Sequence, residues 1–461
     1  MGGDVDRNWT AAELAEILGD WATAPGPLYR RLAAALTVAV EAGDLGTGER
    51  LPSERELAQA FRLSRATIVA AYDLLRDAGT LDTRRGSGSR VRGGPGKRGI
   101  SGAESGTAVV RRLAAGPGPL ISLARTAGEP PTDLAAELAA LAAEDLPALL
   151  ADAGHHPRGL PVLRETIADQ YTADGLPTTA DQIVITTGAT QAISLAITCF
   201  VRRRATVVVE SPGWPGCLDA FHAAGARLVP VGLDAEGAAV AELAPAFAAG
   251  PALAYLMPTF HNPTGTLMSA ARRHRIGELA AQHGVPVLED NAYCTTLGTP
   301  PPPPLAAYAP RGATVLSVGS VTKTIWSGLR VGWLRAPAPI AERIARLKTL
   351  ADLGSPVLDQ ALTARLLSRP RPPDTEPLRR LAHLEAALRA RLPDWRWRRP
   401  DGGSALWIEL PDMDARVYAQ VALRHGVEVV PDATHIRVPF TLPAATLTEL
   451  AERLGRAWDS R

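Results

Sequence analysis

The sequence predicts two dissimilar parts. A small, mainly α N-terminal domain closes on a β-hairpin, and a large α/β domain with a mainly parallel sheet ends in a small α+β lobe. Three observations carry this. Capped stretches with helical spacing of apolar residues fill the first 80 or so positions. A run dense in Gly and Pro then interrupts the chain at 93–119, and so few core-forming side chains make a flexible linker. Beyond it, short apolar runs alternate with helical stretches, the pattern of a sheet covered on both faces.

In chain order, residues 28–42 carry helical spacing that ends at Gly43-Asp44-Leu45-Gly46. Ser53 and Glu56 form a capping box that opens a second helix. Ser64 caps a third, beginning Arg65-Ala66-Thr67, with Phe61-Arg62-Leu63 as the turn between the two. Two short helices joined this way make a helix-turn-helix, whose second helix enters the major groove with its first turn. Thr83-Arg84-Arg85-Gly86-Ser87-Gly88 then reads as a basic wing, suited to phosphates or the minor groove. Strand-like runs follow at 182–186, 206–210, 227–231, 252–257, 285–289, 314–318 and 331–335. The tail reads as a strand at 405–410, a helix at 415–425, a strand at 435–438 and a helix at 444–458. The expected domains are therefore 25–92, a linker at 93–119, and 120–461 with the small lobe from about 370.

Net charge is +1, but between Ala60 and Arg98 nine basic residues face three acidic ones, an excess of six that points to a polyanion. Three cysteines without metal-type spacing, and a polar, acidic N-terminus unlike a signal peptide, lead us to expect a reducing cytosol and no bound metal. The Leu/Ala-rich run at 134–150 is broken by Glu137, Glu144, Asp145 and Pro147, so it reads as one or two amphipathic helices and not a membrane span.

Only three of the 49 basic residues are lysines: Lys97, Lys323 and Lys348. Arginine replaces lysine as a charge but cannot form a Schiff base. Lys97 lies in the basic tether, and Lys348 is expected on the solvated face of a helix. Lys323, in Ser320-Val321-Thr322-Lys323 with Arg330 seven residues on, is the candidate covalent anchor for a cofactor. A pyridoxal phosphate site also needs phosphate donors, an acid for the pyridine nitrogen, a donor to the phenolate and a flat wall. Each has a candidate at a strand end. Thr187-Gly188-Ala189-Thr190 opens a helix whose N–H groups can face a phosphate. Asp290 ends another strand with Tyr293 three residues on, Asn262 lies on a tight turn, and Trp214 lies in a loop.

Singly these are weak signals, and their order is what specifies a family. The motifs Leu51-Pro52-Ser53-Glu54-Arg55-Glu56, Leu63-Ser64-Arg65-Ala66-Thr67 and Gly86-Ser87-Gly88-Ser89 resemble the GntR-type winged helix-turn-helix. That resemblance implies contact with double-stranded operator DNA through Arg55, Ser64, Arg65 and Thr67, with Arg84 and Arg85 on the wing. Asn262-Pro263-Thr264-Gly265, Asp290-x-x-Tyr293 and Ser320-x-x-Lys323-x6-Arg330 resemble the fold-type I aminotransferases. That resemblance implies pyridoxal 5′-phosphate as an internal aldimine on Lys323. Ser320, Arg330, Gly188, Ala189 and Thr190 would hold its phosphate and Asp290 its ring nitrogen. Tyr293 and Asn262 would bond its phenolic oxygen, Trp214 would stack on it, and Arg437 would grip an effector's carboxylate. The pattern departs at Gly154-His155-His156, where the family carries a Tyr that reaches the partner subunit's phosphate.

Together the parts resemble the MocR subfamily of transcription regulators. The resemblance implies a homodimer that senses an amino acid or amine and shifts its DNA heads through the linkers. Two other readings stay open: a working aminotransferase with a DNA-binding head, and a regulator that senses the cofactor alone.

Overall fold

The structure is a computed structural model. It describes residues 8–18, 21–23, 26–41, 44–46, 48–84, 88–92, 120–124, 130–292, 296–298, 300–369 and 374–461. Of the residues singled out above, Gly43, Arg85, Gly86, Ser87 and Tyr293 lie outside the described residues, as does the whole 93–119 stretch with Lys97. The chain divides into two compact units, 1–125 with 380–398 and 407–461, and 126–379 with 399–406.

In the first unit, helices Leu28–Glu41, Glu54–Phe61 and Arg65–Asp77 precede an antiparallel hairpin of β1 (Leu81–Arg84) and β2 (Gly88–Val91). Leu32, Leu36, Leu57, Phe61, Ile68 and Leu75 form its core. The capping box is present as read: Ser53 Oγ accepts the Glu56 N–H at 3.2 Å, and Glu56 Oε2 accepts the Ser53 N–H at 2.8 Å. Arg62 closes the turn in the left-handed region at φ 52°.

A further helix, Ala11–Leu18, precedes these and packs on helix Ala415–Arg424. Buried Gln420 joins the two. Its Oε1 accepts from Trp21 Nε1 at 3.0 Å, and its Nε2 donates to the Ala15 carbonyl at 2.9 Å. The turn of the helix-turn-helix is held to the same helix, where Arg424 Nη1 donates to the Arg62 carbonyl at 3.3 Å. The helix-turn-helix is therefore seated on an element of the C-terminal lobe, across a separation of about 400 residues in sequence. Gln420→Leu strands the Trp21 N–H and the Ala15 carbonyl, which costs roughly 2–4 kcal/mol of local stability. The expected result is faster amide exchange across residues 11–23, with the exchange of the second unit unchanged.

The rest of this unit contains β3 (Ile121–Ser122), β12 (Arg396–Trp397), β14 (Val427–Glu428), β15 (Val430–Asp432) and β16 (His435–Pro439). It also holds most of β13 (Ala405–Glu409), most of helix Glu376–Arg391, and helix Ala444–Asp459. Strand β3 pairs in parallel with β14, and β15 runs antiparallel to β16.

The second unit is built on an eight-stranded sheet. Its strands are β4 (Ile183–Thr186), β5 (Thr206–Ser211), β6 (Arg227–Asp234), β7 (Gly237–Ala238), β8 (Leu253–Leu256), β9 (Val287–Asp290), β10 (Val315–Ser320) and β11 (Gly332–Arg335). The order is β4-β11-β10-β9-β8-β5-β6-β7. Strands β10, β9, β8, β5 and β6 run parallel, and β11 is antiparallel to both its neighbours. All four residues of β4, β8 and β9, and all six of β10, are buried, as a sheet covered on both faces demands. The 134–150 run forms two helices, Leu134–Glu144 and Leu146–Leu150. Among the described residues no helix is long and apolar enough to cross a membrane.

One expectation fails here. Lys348 is not on a solvated face: its side chain is fully buried in helix Ala338–Asp352, with Nζ 2.7 and 2.6 Å from the two Asp352 carboxylate oxygens. An ammonium taken out of water needs such a partner.

Candidate functional site

Strand register gathers the second unit's candidates at one sheet edge. Asp290 ends β9, and Val318 of β10 lies opposite it. Ser320 ends β10 opposite Gly332, the first residue of β11, and Gly332 in turn faces Thr186, the last residue of β4. Adjacent strands lie about 4.8 Å apart. The Asp290 carboxylate, the Ser320–Lys323 turn, Arg330 and the Thr187–Thr190 segment therefore follow one another along the ends where open α/β sheets bind ligands. Ser211 ends β5 nearby in the same sheet, followed by Trp214, and Asn262 follows β8.

The anion cradle is specified by backbone. Gly188 has φ 127°, and a Cβ on it would come within 3.0 Å of Arg330 Nη2. A Cβ on Gly332 would meet the Gly188 backbone at 2.7 Å, so Gly332 is required by close approach and Gly188 by its positive φ. Helix Ala189–Phe200 starts at Gly188 without a side-chain cap, leaving its first N–H groups for a ligand. Arg330, exposed and at φ 50°, donates from Nη2 to the Thr187 carbonyl at 2.9 Å. Ser320 Oγ donates to Thr322 Oγ1 at 2.8 Å and accepts the Thr322 N–H at 3.1 Å, which shapes the turn that carries half-buried Lys323.

Asp290 is buried at 2% exposure. Its Oδ2 accepts from Tyr255 Oη at 2.7 Å and its Oδ1 from the Ala292 N–H at 2.9 Å. Burial pushes its carboxyl up, against those two hydrogen bonds, so a cation placed beside it gains a strong partner. Tyr255, driven well above the usual phenol range by burial, stays a neutral donor. Sequence reasoning missed Tyr255; the available signal was one phenol inside the otherwise apolar β8.

Asn262 is buried beside a cis bond to Pro263, and half-buried Trp214 packs on the main core of the sheet. His156, at the family's missing Tyr, has Nε2 3.0 Å from Asp152 Oδ1. Arg437 lies in the other unit, on β16, where its buried side chain donates from Nη1 to the Leu123 carbonyl at 3.3 Å. In the head, Arg55 and Arg65 are exposed and Thr67 is half-buried. Ser64 serves as the helix cap, its Oγ accepting the Thr67 N–H at 3.1 Å, and Arg84 lies on β1.

Beside Asn262, Glu210 Oε2 accepts the Met257 N–H at 2.6 Å and lies 3.6 Å from His261 Nε2. The spacing is that of an ion pair, yet burial pushes Glu210 up to about 8 and His261 down to about 3, so both are uncharged at neutral pH. Glu210 holds a proton in the folded state that the unfolded chain releases, so its contribution to stability falls as pH rises from 4.5 to about 8. Unfolded His261 takes up a proton that the folded state refuses, so its contribution falls as pH drops from 6.5 to about 3. The two slopes oppose each other between 4.5 and 6.5. Glu210→Gln is expected to remove the alkaline slope, on the order of 4 kcal/mol by its end. Urea unfolding across that pH range checks it, and an unchanged slope would assign the loss to another group.

Residues 130–454 match aminotransferase class I and II, and residues 28–91 match the bacterial regulatory proteins of the gntR family. The chain is 31% identical to the uncharacterized HTH-type transcriptional regulator YisV of Bacillus subtilis, over 74% of this chain and 74% of that protein. It is 27% identical to the probable rhizopine catabolism regulatory protein MocR of Rhizobium meliloti, over 74% and 72%. Among solved structures it resembles LysN, the α-aminoadipate aminotransferase of Thermus thermophilus, there complexed with N-(5′-phosphopyridoxyl)-L-leucine. The TM-score is 0.66 at 27% identity, covering 76% of this chain and 94% of that one.

Proposed function

We propose that this chain, which belongs to the aminotransferase class I and II family and is a MocR-like regulator with a gntR-family head, controls transcription by sensing an amino acid or amine. The observation that carries the reading is the strand register, which sets an amine, a buried acid and an anion cradle along one sheet edge of a protein that also has a DNA-reading fold. These residues fit pyridoxal 5′-phosphate. The uncapped helix start, Gly188 and Arg330 suit a phosphate dianion, and buried Asp290 suits a protonated ring nitrogen.

When bound, the cofactor supplies an electrophilic aldehyde and an electron-withdrawing ring. Lys323 would offer Nζ as its covalent anchor. Asp290, held by Tyr255 and Ala292, keeps the proton on the ring nitrogen. Ser320, Arg330, Gly188, Ala189 and Thr190 bind the phosphate, Asn262 and Tyr293 the phenolic oxygen, and Trp214 the ring face. Arg437 takes the effector's carboxylate. Arg55, Arg65 and Thr67 face DNA with the wing arginines Arg84 and Arg85, and Ser64 sets the start of the reading helix. A cytoplasmic location and a homodimer complete the reading.

The test is the visible spectrum of the cofactor-loaded protein against a panel of amino acids and amines, run beside a DNA-binding assay. A band that shifts with one compound and then persists, while DNA affinity changes, supports the sensor. Decay of the band followed by rescue with a keto acid would make the protein a transaminase, which the intact Lys323, Asp290 and Arg330 set permits. No band with added cofactor would overturn the reading of the large domain.

A further inference from the structure

The second lysine of the large domain has a place in the same site. Thr187, the residue that leads into the cradle, is held on both sides of its backbone. Its carbonyl accepts from Arg330 Nη2 at 2.9 Å, and its N–H donates to Gln191 Oε1 at 2.9 Å. The other end of that amide, Gln191 Nε2, donates to Asp352 Oδ2 at 2.7 Å. Asp352 also accepts from Lys348 Nζ and, at 3.0 Å, from the Gly354 N–H. Only one orientation of the Gln191 amide serves both neighbours, because Thr187 offers a donor and Asp352 accepts. The row therefore has a fixed polarity from Lys348 to Thr187.

We infer that Lys348, Asp352 and Gln191 form an electrically neutral strut that positions the Thr187–Gly188 backbone to receive the cofactor's phosphate. The inference rests on the reading of that segment as the phosphate cradle. A carboxylate is the strong acceptor that fixes Gln191, but left alone near an anion site it would repel the ligand. Lys348 cancels its charge from a fully buried position, while Asp352 is 24% exposed, so salt screens the pair less than it would two surface charges. The compact ammonium of Lys348 reaches both carboxylate oxygens of Asp352.

The experiment compares the affinities of full-length protein for pyridoxal 5′-phosphate and for pyridoxal, which lacks the phosphate, by equilibrium dialysis. Gln191→Leu, at a half-buried position, is the deciding variant. The expected result is roughly tenfold weaker binding of pyridoxal 5′-phosphate with pyridoxal unchanged, the size of one missing charge-assisted hydrogen bond. Lys348→Met, which leaves Asp352 charged below the cradle, is expected to weaken the phosphorylated ligand further. Equal affinities for the phosphorylated ligand in Gln191→Leu and the native protein would overturn the strut. So would a parallel loss of both ligands in that variant, since a general structural defect does not discriminate by phosphate. If the native protein binds neither ligand, the cofactor reading falls, and the strut with it.

Discussion

Lys323→Ala is expected to abolish the visible absorption band of the cofactor-loaded protein and to cut retention of pyridoxal 5′-phosphate on gel filtration by about 100-fold or more, the loss of a covalent link. Some binding should persist, because Arg330, the Gly188 cradle and Asp290 are untouched. No other lysine in the large domain can take over: Lys348 is buried and committed to Asp352. Lys97, the third, lies far away in sequence, in the Gly/Pro-rich stretch. An unchanged band in the variant would remove Lys323 from the site and with it the argument from lysine scarcity. DNA binding without effector should survive the substitution, since the head folds around its own core.

Arg65→Ala is expected to weaken binding to an operator selected from random duplexes by roughly 5- to 150-fold, the range for removing one base-reading side chain. Arg65 is the first residue of the reading helix and is exposed, so its removal costs the fold little. Ser64 differs. Its hydroxyl caps that helix, so Ser64→Ala should cost about 1 kcal/mol of stability in addition to any effect on DNA. Fluorescence anisotropy at two salt concentrations separates the cases. If Arg65 reads a base, its removal lowers specificity; if Arg55 meets a phosphate, its removal lowers affinity for all sequences and flattens the salt dependence. Affinity untouched by Arg65→Ala would mean that another face of the head meets DNA.

Much of this was legible in the residues because the signals are local. The Ser53/Glu56 box, the Ser64 cap and the apolar runs of the sheet are set by spacing within a few positions, and the structure repeats them with shifts of up to three residues at strand ends. The motif glycine Gly188 was legible too, and its φ of 127° explains why only glycine serves there. The partners of these groups were not legible. Tyr255 lies 35 residues from Asp290, Asp352 lies 161 from Gln191, and Gln420 lies 399 from Trp21. The burial of Lys348 was not legible either, because helical periodicity says which side of a helix a residue occupies, not what that side packs against.

The sequence by itself determined the parts: a gntR-family head, an aminotransferase class I and II body, and the lysine, acid and arginine proposed for its cofactor. Local propensity and motif order suffice for that, since each is encoded within a short stretch. Tertiary structure alone decided which groups support them: Tyr255 under Asp290, the Lys348–Asp352–Gln191 row behind the cradle, and Gln420 beneath the head. Those pairings follow from strand order and helix packing. An antiparallel β11 inserted between β4 and β10 brings residues 186, 320 and 332 to one edge, a proximity that no local pattern encodes.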